Sequence, residues 1–280
     1  MTLRHSLARL RPHMWLLIAG VLAVTLVIWY SIRPSSDRQW IPEQAEMASA
    51  TFTADTVAIR NIRNFTYTAR GEFQPAYADR TYDLNALTSV WYVLTPFSRN
   101  WRGPAHSFVS FGFSDGEYVA ISVEARRQPG EVYDAVKGLF KRFELIYVVG
   151  DERDLIGQRA AFGSDPVHLY PVRTTPEKMR ALFVGMLERA NQLREQPEFY
   201  NTLTNNCTSN VVAHVNRITP RKVPSGLKTI LPGYTDEVAL RLGLIDTELD
   251  IARAREQYRI NDRARRFIGD PAFSARIRGL

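Results

Sequence analysis

From Met14 to Ile32 the chain runs nineteen residues without a charge. Such a stretch leaves the backbone few choices. As a helix it just spans the ~30 Å hydrocarbon core of a bilayer. In lipid every peptide N–H and C=O must be satisfied internally, which a helix does and a lone strand does not. Trp15, Trp29 and Tyr30 stand near its ends, where amphipathic rings prefer the interface. Arg4, Arg9 and Arg11 precede it, so the positive-inside rule puts a tail, residues 1–13, in the cytoplasm and the rest of the chain across the membrane. The rival reading is a cleaved signal peptide. Its small-residue cleavage site belongs close behind the apolar run, but Arg33-Pro-Ser-Ser-Asp-Arg-Gln-Trp40 offers none and Ala48-Ser-Ala50 is distant. A retained anchor over 14–32 is expected, with a linker over 33–50.

Beyond the anchor the chain has the make-up of an ordinary globular protein, at 45% hydrophobic and 23% charged residues over its whole length, without repeats or low-complexity tracts. We expect one α+β domain over 51–220, an antiparallel sheet packed on helices, and a helical extension over 221–280. The formal charge of +7 is moderate, and no helix-turn-helix, RNA-binding motif or zinc-ligand spacing accompanies it, so no nucleic-acid partner is expected. A single cysteine excludes an intramolecular disulfide and any thiolate-rich metal site. No metal or cofactor is expected.

That cysteine, Cys207, sits in the run Asn201-Thr-Leu-Thr-Asn-Asn-Cys-Thr-Ser-Asn210. Asn205 or Asn206 suits an N-cap, since a short amide side chain bonds the free N–H groups of a first turn. Val211, Val212, Val215 and Ile218 come next at helical spacing, and Pro220 closes the segment. A thiol in the first turn feels the positive end of the helix dipole, which favours its nucleophilic form. The bland alternative is a buried cysteine packed as a small apolar residue.

A thiol nucleophile needs a base. His214 lies seven residues on, ~10 Å along a helix axis, and is too far. His5 and His13 fall on the other side of the anchor. Of His106 and His168, the former opens a clear hairpin. Ser107-Phe-Val-Ser-Phe-Gly-Phe113 and Tyr118-Val-Ala-Ile-Ser-Val-Glu124 alternate as strands around Ser114-Asp-Gly116. A three-residue loop with its glycine left-handed pairs Phe113 with Glu117 and carries His106 opposite Glu124; a two-residue turn would shift the pairing and put Glu124 on the opposite face. Val109, Phe111, Phe113, Val119, Ile121 and Val123 then face a core. His106, Phe108, Ser110, Gly112, Tyr118, Ala120, Ser122 and Glu124 face the other way. A carboxylate opposite an imidazole fixes its tautomer.

Further along, Phe143 to Val149 and Val167 to Val172 read as strands, with His168 an ordinary strand residue. Thr174 or Thr175 with Pro176 starts a helix whose stripe is Met179, Leu182, Phe183, Met186, Leu187, Ala190 and Leu193. Leu249 to Arg266 reads as one basic helix on the domain or on the membrane. Tyr147 and Glu152 are candidates to face a cleft.

Helix-borne Cys207 against strand-borne His106 is the arrangement of papain-like thiol enzymes, and His before Cys resembles their permuted NlpC-type branch. More closely, Asn61-Ile-Arg-Asn-Phe65, His106-Ser-Phe-Val-Ser-Phe-Gly-Phe113, Ile121-Ser-Val-Glu-Ala-Arg126, Tyr147-Val-Val-Gly-Asp-Glu-Arg-Asp154 and Asn201 to Asn210 are similar to the Lnb-type periplasmic domain family, associated with bacterial lipoprotein N-acyltransfer. The resemblance implies a periplasmic domain anchored in the bacterial inner membrane, Cys207 as nucleophile and His106 as base, with Glu124 the third member on the hairpin register. It implies a membrane phospholipid as acyl donor and a diacylglyceryl lipoprotein as acceptor. Phe108 and Tyr118 are candidates to wall an acyl slot, or else to pack under a helix; Asn205, Asn206 and Tyr147 are further substrate-side candidates. The alternatives are an NlpC-type cysteine amidase or peptidase acting on peptidoglycan and a non-enzymatic binding module.

Overall fold

The structure, a computed structural model, describes residues 12–98 and 102–280. The chain divides into two compact units, one ending at Ser35 and one from Ser36 to Leu280. In the first, helix α1 (Pro12–Ser31) carries the apolar run, and Met14–Ser31 is long and apolar enough to cross a membrane. The arginines expected to orient it, Arg4, Arg9 and Arg11, lie outside the described residues, as does most of the tail 1–13.

The second unit is a mixed α+β fold. Its strands are β1 (Ser49–Thr53), β2 (Thr56–Arg63), β3 (Thr66–Ala69), β4 (Glu72–Gln74), β5 (Tyr77–Asp83), β6 (Leu87–Pro96), β7 (Ala105–Phe113), β8 (Tyr118–Arg126), β9 (Glu144–Asp151) and β10 (His168–Pro171). The main sheet runs β1-β2-β9-β8-β7-β6-β10, with β5 paired to β2 and with β3 and β4 as a separate ribbon. Only the β2–β9 contact, Arg63 opposite Gly150, is parallel among these pairings.

The β7–β8 hairpin has the expected register, with Phe108 opposite Ser122 and Gly112 opposite Tyr118. Gly116 takes φ +86, and the Phe113 N–H donates to the Glu117 carbonyl. A side chain at that φ would be strained.

Both faces of this hairpin are covered. The odd-numbered face, with Val109, Phe111, Ile121 and Val123, packs under α4 (Pro176–Glu195) and α5 (Cys207–Ile218). Met179, Leu182, Phe183, Met186, Leu187, Ala190 and Leu193 supply the buried stripe of α4, each large side chain worth roughly 1.5–3 kcal/mol when fully buried. The opposite face, for which the sequence left open an acyl slot or packing under a helix, lies against α2 (Glu152–Leu155), α3 (Gly157–Ala160) and the C-terminal helices. Phe108 and Ala120 pack there with Leu155, Ala160, Ile260, Ala264, Phe273 and Ile277. The segment 221–280 is thus part of the core rather than an appendage. After α6 (Leu227–Ile230) and α7 (Thr235–Arg241), the basic stretch breaks into α8 (Ile251–Gln257) and α9 (Asn261–Phe267), with α10 (Phe273–Arg278) last.

The break has a physical cause. Leu169 N–H donates to the Tyr258 carbonyl and Ile260 N–H to that of Val167, so the interrupted segment extends the edge at β10. Asn261, 1% exposed, accepts from Val167 N–H and donates to the carbonyls of Ala160 and Asp165. These bonds satisfy buried backbone groups that a continuous helix would leave unpaired.

The expected linker over 33–50 is also corrected. Residues from Ser36 onward belong to the second unit, Pro42–Gln44 form a 3-10 turn, and Gln44 is buried. Arg126 donates to the Gln44 and Ala45 carbonyls and lies over the Trp40 ring. Arg63 and Asp154 clamp the same region in a two-pronged buried pair, 2.9 and 2.7 Å, while Phe65 N–H donates to Asp154 at 2.8 Å. This joins the β2 motif to the end of β9. Asn61 sits at φ +59 beside the β2–β5 irregularity, a backbone region asparagine tolerates better than branched residues.

Candidate active site

Asn206 is the N-cap of α5. Its side chain accepts from Ser209 N–H at 2.9 Å, and Ser209 Oγ accepts from Asn206 N–H at 2.8 Å. This capping box makes Cys207 the first helical residue. Among the described residues, no hydrogen bond takes the N–H groups of Cys207 and Thr208, so two donors remain at the helix start beside the thiol. Cys207 is 5% exposed and stands on the core side of the helix with Val211.

His106 lies at the start of β7 and Glu124 near the end of β8, where the hairpin register brings them together. Their closest approach, His106 Nε2 to Glu124 Oε1, is 3.8 Å. Ser122 closes the gap. Its hydroxyl donates to Glu124 Oε1 at 2.9 Å and stands 2.8 Å from His106 Nε2. A hydroxyl that donates to the carboxylate accepts from the ring, which assigns the proton to Nε2 and leaves the Nδ1 lone pair as acceptor. Glu124 is held by Gln44 Nε2 at 2.9 Å and Arg159 at 3.1 Å as well.

The electrostatics come from these contacts. Burial alone disfavours both charged forms. For Glu124, Arg159 foremost, then His106, Arg63 and the Gln44 bond, outweigh burial and hold the carboxyl well below its usual range. For His106, burial and the Arg159 charge outweigh Glu124, and the imidazole is pushed down to about 3. The pair at neutral pH is therefore a carboxylate and a neutral imidazole.

His106, Glu124 and Cys207 line one cavity of about 200 Å³, together with Gln44, Arg159 and Tyr200. The cavity lies at the end of β7 and β8 and draws on both faces, Val123 from one and Glu124 from the other. The sequence missed several of these residues. Ser122 was on the His106 face and two residues from Glu124, so its place was readable. Gln44 and Arg159 reach the site by long-range packing and carried no local signal.

The substrate-side candidates stand elsewhere. Phe108 is fully buried between sheet and helices and walls no open slot. Tyr118 lies across Gly112, where an added Cβ would come 2.5 Å from its ring, and beneath Arg278, 3.8 Å from the ring centroid. Tyr147 is buried and donates to Asn210 at 3.0 Å, with His214 Nε2 3.1 Å away. That network also occupies His214. Asn205 donates to Glu198 and Phe199 and accepts from Asn210; with Asn206 it shapes the turn before the thiol and does not line the cavity. Glu152 is wholly buried, bonded to Ser110 and Arg278. The polar side chains of Tyr147, Asn205, Asn206 and Glu152 thus find partners within the fold, where an unpaired buried group would be costly.

Residues 73–233, more than half of the chain, match the family model for the Lnb N-terminal periplasmic domain. No curated protein and no solved structure matches the chain. With the apolar helix α1, the family match fits a single-pass membrane protein with a periplasmic domain.

Proposed function

The chain belongs to the Lnb N-terminal periplasmic domain family, and from that premise we propose that it is an inner-membrane-anchored thiol acyltransferase of permuted papain-like design, its amino terminus cytoplasmic and its active site periplasmic. The observation that carries the reading is the chain Glu124–Ser122–His106 ending in the cavity that Cys207 shares. With Nε2 committed to Ser122, Nδ1 takes the thiol proton. The thiolate attacks an ester carbonyl of a membrane phospholipid, and the N–H groups of Cys207 and Thr208 stabilise the oxyanion. The tetrahedral intermediate collapses by breaking the ester C–O bond. The imidazolium returns its proton to the leaving alkoxide, releasing a lysophospholipid and leaving a thioester on Cys207. The α-amine of a diacylglyceryl-cysteine lipoprotein then attacks the thioester, His106 accepts the amine proton, and the expelled thiolate regains it. The products are an amide-linked acyl chain and free enzyme.

An anchor suits two substrates confined to the bilayer. The amidase alternative acts on soluble peptides and has no need of one. Mass spectrometry of lipoprotein amino termini in cells carrying this protein as their sole N-acylating activity tests the reading. Wild type is expected to yield the added acyl chain and Cys207→Ala to lose it; persistence of the chain in Cys207→Ala overturns the proposal.

A further inference from the structure

Ser107 and Thr208, the residues next after His106 and Cys207, line a second cavity of about 440 Å³. Their hydroxyls stand 3.3 Å apart, and Cys207 Sγ is 3.9 Å from Thr208 Oγ1. Thr208 thus touches both the thiol and this space. Its volume falls within the ~300–1,000 Å³ of small-molecule pockets. The walls are largely aliphatic: Val109 from β7, Leu182 from α4, Val211 and Val215 from α5, Val238 from α7, and Ile245 beyond it.

The pocket runs along the axis of α5. Thr208, Val211, Val212, Val215, Ile218 and Thr219 all line it, and that spacing is one face of a helix. Val215 lies eight residues past Cys207, ~12 Å along the axis. The charged lining residues stand at element ends: Arg173 before α4, Lys178 in its first turn, and Arg221 after α5. The stretch of α5 between Thr208 and Ile218 therefore meets the cavity with aliphatic groups alone. A peptide or sugar laid along it would find no partner on that face for its own polar atoms, which is costly. An alkyl chain would not.

We propose that this cavity receives a single fatty acyl chain, the one esterified in the donor and then carried as a thioester on Cys207, and that the α5 face from Thr208 to Val215 measures its length. The proposal rests on the acyl-transfer reading for its source of chain, but the binding site stands on its own walls. A tryptophan at Val215 would block the channel partway along and an alanine would extend it.

The test uses the full-length chain in vesicles of phosphatidylethanolamine bearing either long or short chains, with acyl-Cys207 read by mass spectrometry. Wild type is expected to take the long chain. Val215→Trp should lower the long-to-short ratio about tenfold or more, in line with discrimination by size in an apolar pocket, and Val215→Ala should not lower it. An unchanged ratio in Val215→Trp, with its thermal unfolding intact, overturns the proposal, as does a loss only of transfer to the acceptor. In parallel, a fluorescent long-chain fatty acid added to Cys207→Ala should bind and be excluded by Cys207→Ala/Val215→Trp. That arm needs no turnover, so a failure of the acyltransferase reading leaves it informative. Absence of probe binding to Cys207→Ala contradicts the pocket assignment itself.

Discussion

His106 and Glu124 do not touch: Nε2 and Oε1 stand 3.8 Å apart, and the Ser122 hydroxyl occupies the interval between them. The carboxylate therefore acts on the imidazole through a relay, fixing the Nε2–H tautomer while Arg159 and Gln44 keep Glu124 in place. Removing either of the two groups behind the imidazole should have a similar result. Ser122→Ala and Glu124→Gln are each expected to slow acylation of Cys207 by about tenfold to a hundredfold, less than the ~10²–10⁴ contributed by a positioned base itself. Because both act through one ring, the double variant should lose little more than either single one. Single-turnover acylation measures this, and His106 tautomer assignment by nitrogen NMR separates positioning from unfolding.

The imidazole is also a pH reporter. Its folded value, about 3, lies below the ordinary 6.5. The unfolded chain thus binds a proton below pH 6.5 that the folded site refuses, so His106 costs stability as pH falls from about 6.5 towards 3. Glu124 acts in the same direction: its folded carboxyl is depressed below 4.5, so its stabilisation is present above that value and is lost as the pH drops further. NMR titration should find His106 neutral at pH 5. In Arg159→Gln, which removes a nearby cation, the His106 titration should move upward; a downward or absent shift would contradict the assigned electrostatics.

The capping box at α5 holds the thiol at the first helical position. Asn206→Ala removes the acceptor for Ser209 N–H and should cost about 1 kcal/mol, lowering Tm by roughly 2–4 °C for a unit of this size. Calorimetry on the membrane-reconstituted protein measures it. A larger loss of acylation rate than of stability is expected, since the cap also fixes the two N–H donors beside Cys207.

Arg63 and Asp154 form a pair in which both side chains are almost fully enclosed. Arg63→Met leaves the Asp154 charge buried and should destabilise by about 3–5 kcal/mol. Arg63→Met/Asp154→Leu removes both charges and should recover much of that loss. Denaturant unfolding of the wild type and these two variants tests the coupling; Phe65 N–H loses its acceptor in the double variant as well.

The hairpin was readable because one loop fixes everything beyond it. With Gly116 left-handed, Phe113 N–H bonds the Glu117 carbonyl, the ladder runs on to Phe108 opposite Ser122, and Glu124 follows two residues later on the His106 face. The cap, as Asn205 or Asn206, and the stripe of α4 were readable for the same reason: local chemistry specifies them. What failed depended on distant chain. The face of Phe108 could be read as a slot or as packed under a helix, because the residues that cover it, Ile260, Phe273 and Ile277, come some 150 to 170 positions later. The stretch Leu249–Arg266 looked like one helix because nothing near Asn261 reveals that its amide will close the edge at β10. Gln44 looked like linker, yet it supports Glu124 from eighty residues away. The aliphatic cavity beside Thr208 is built by β6, β7, α4, α5 and α7 together, so no single stretch announces it.

The most direct measurement is of Cys207 itself. The purified full-length chain, given phospholipid vesicles without an acceptor and then digested for mass spectrometry, should carry an acyl group on the Cys207 peptide. That group should be labile to hydroxylamine, as a thioester is, and should disappear when a diacylglyceryl lipopeptide is added. His106→Ala should prevent its formation. An unmodified Cys207 under these conditions, with acyl transfer to the lipopeptide still proceeding, would contradict the account.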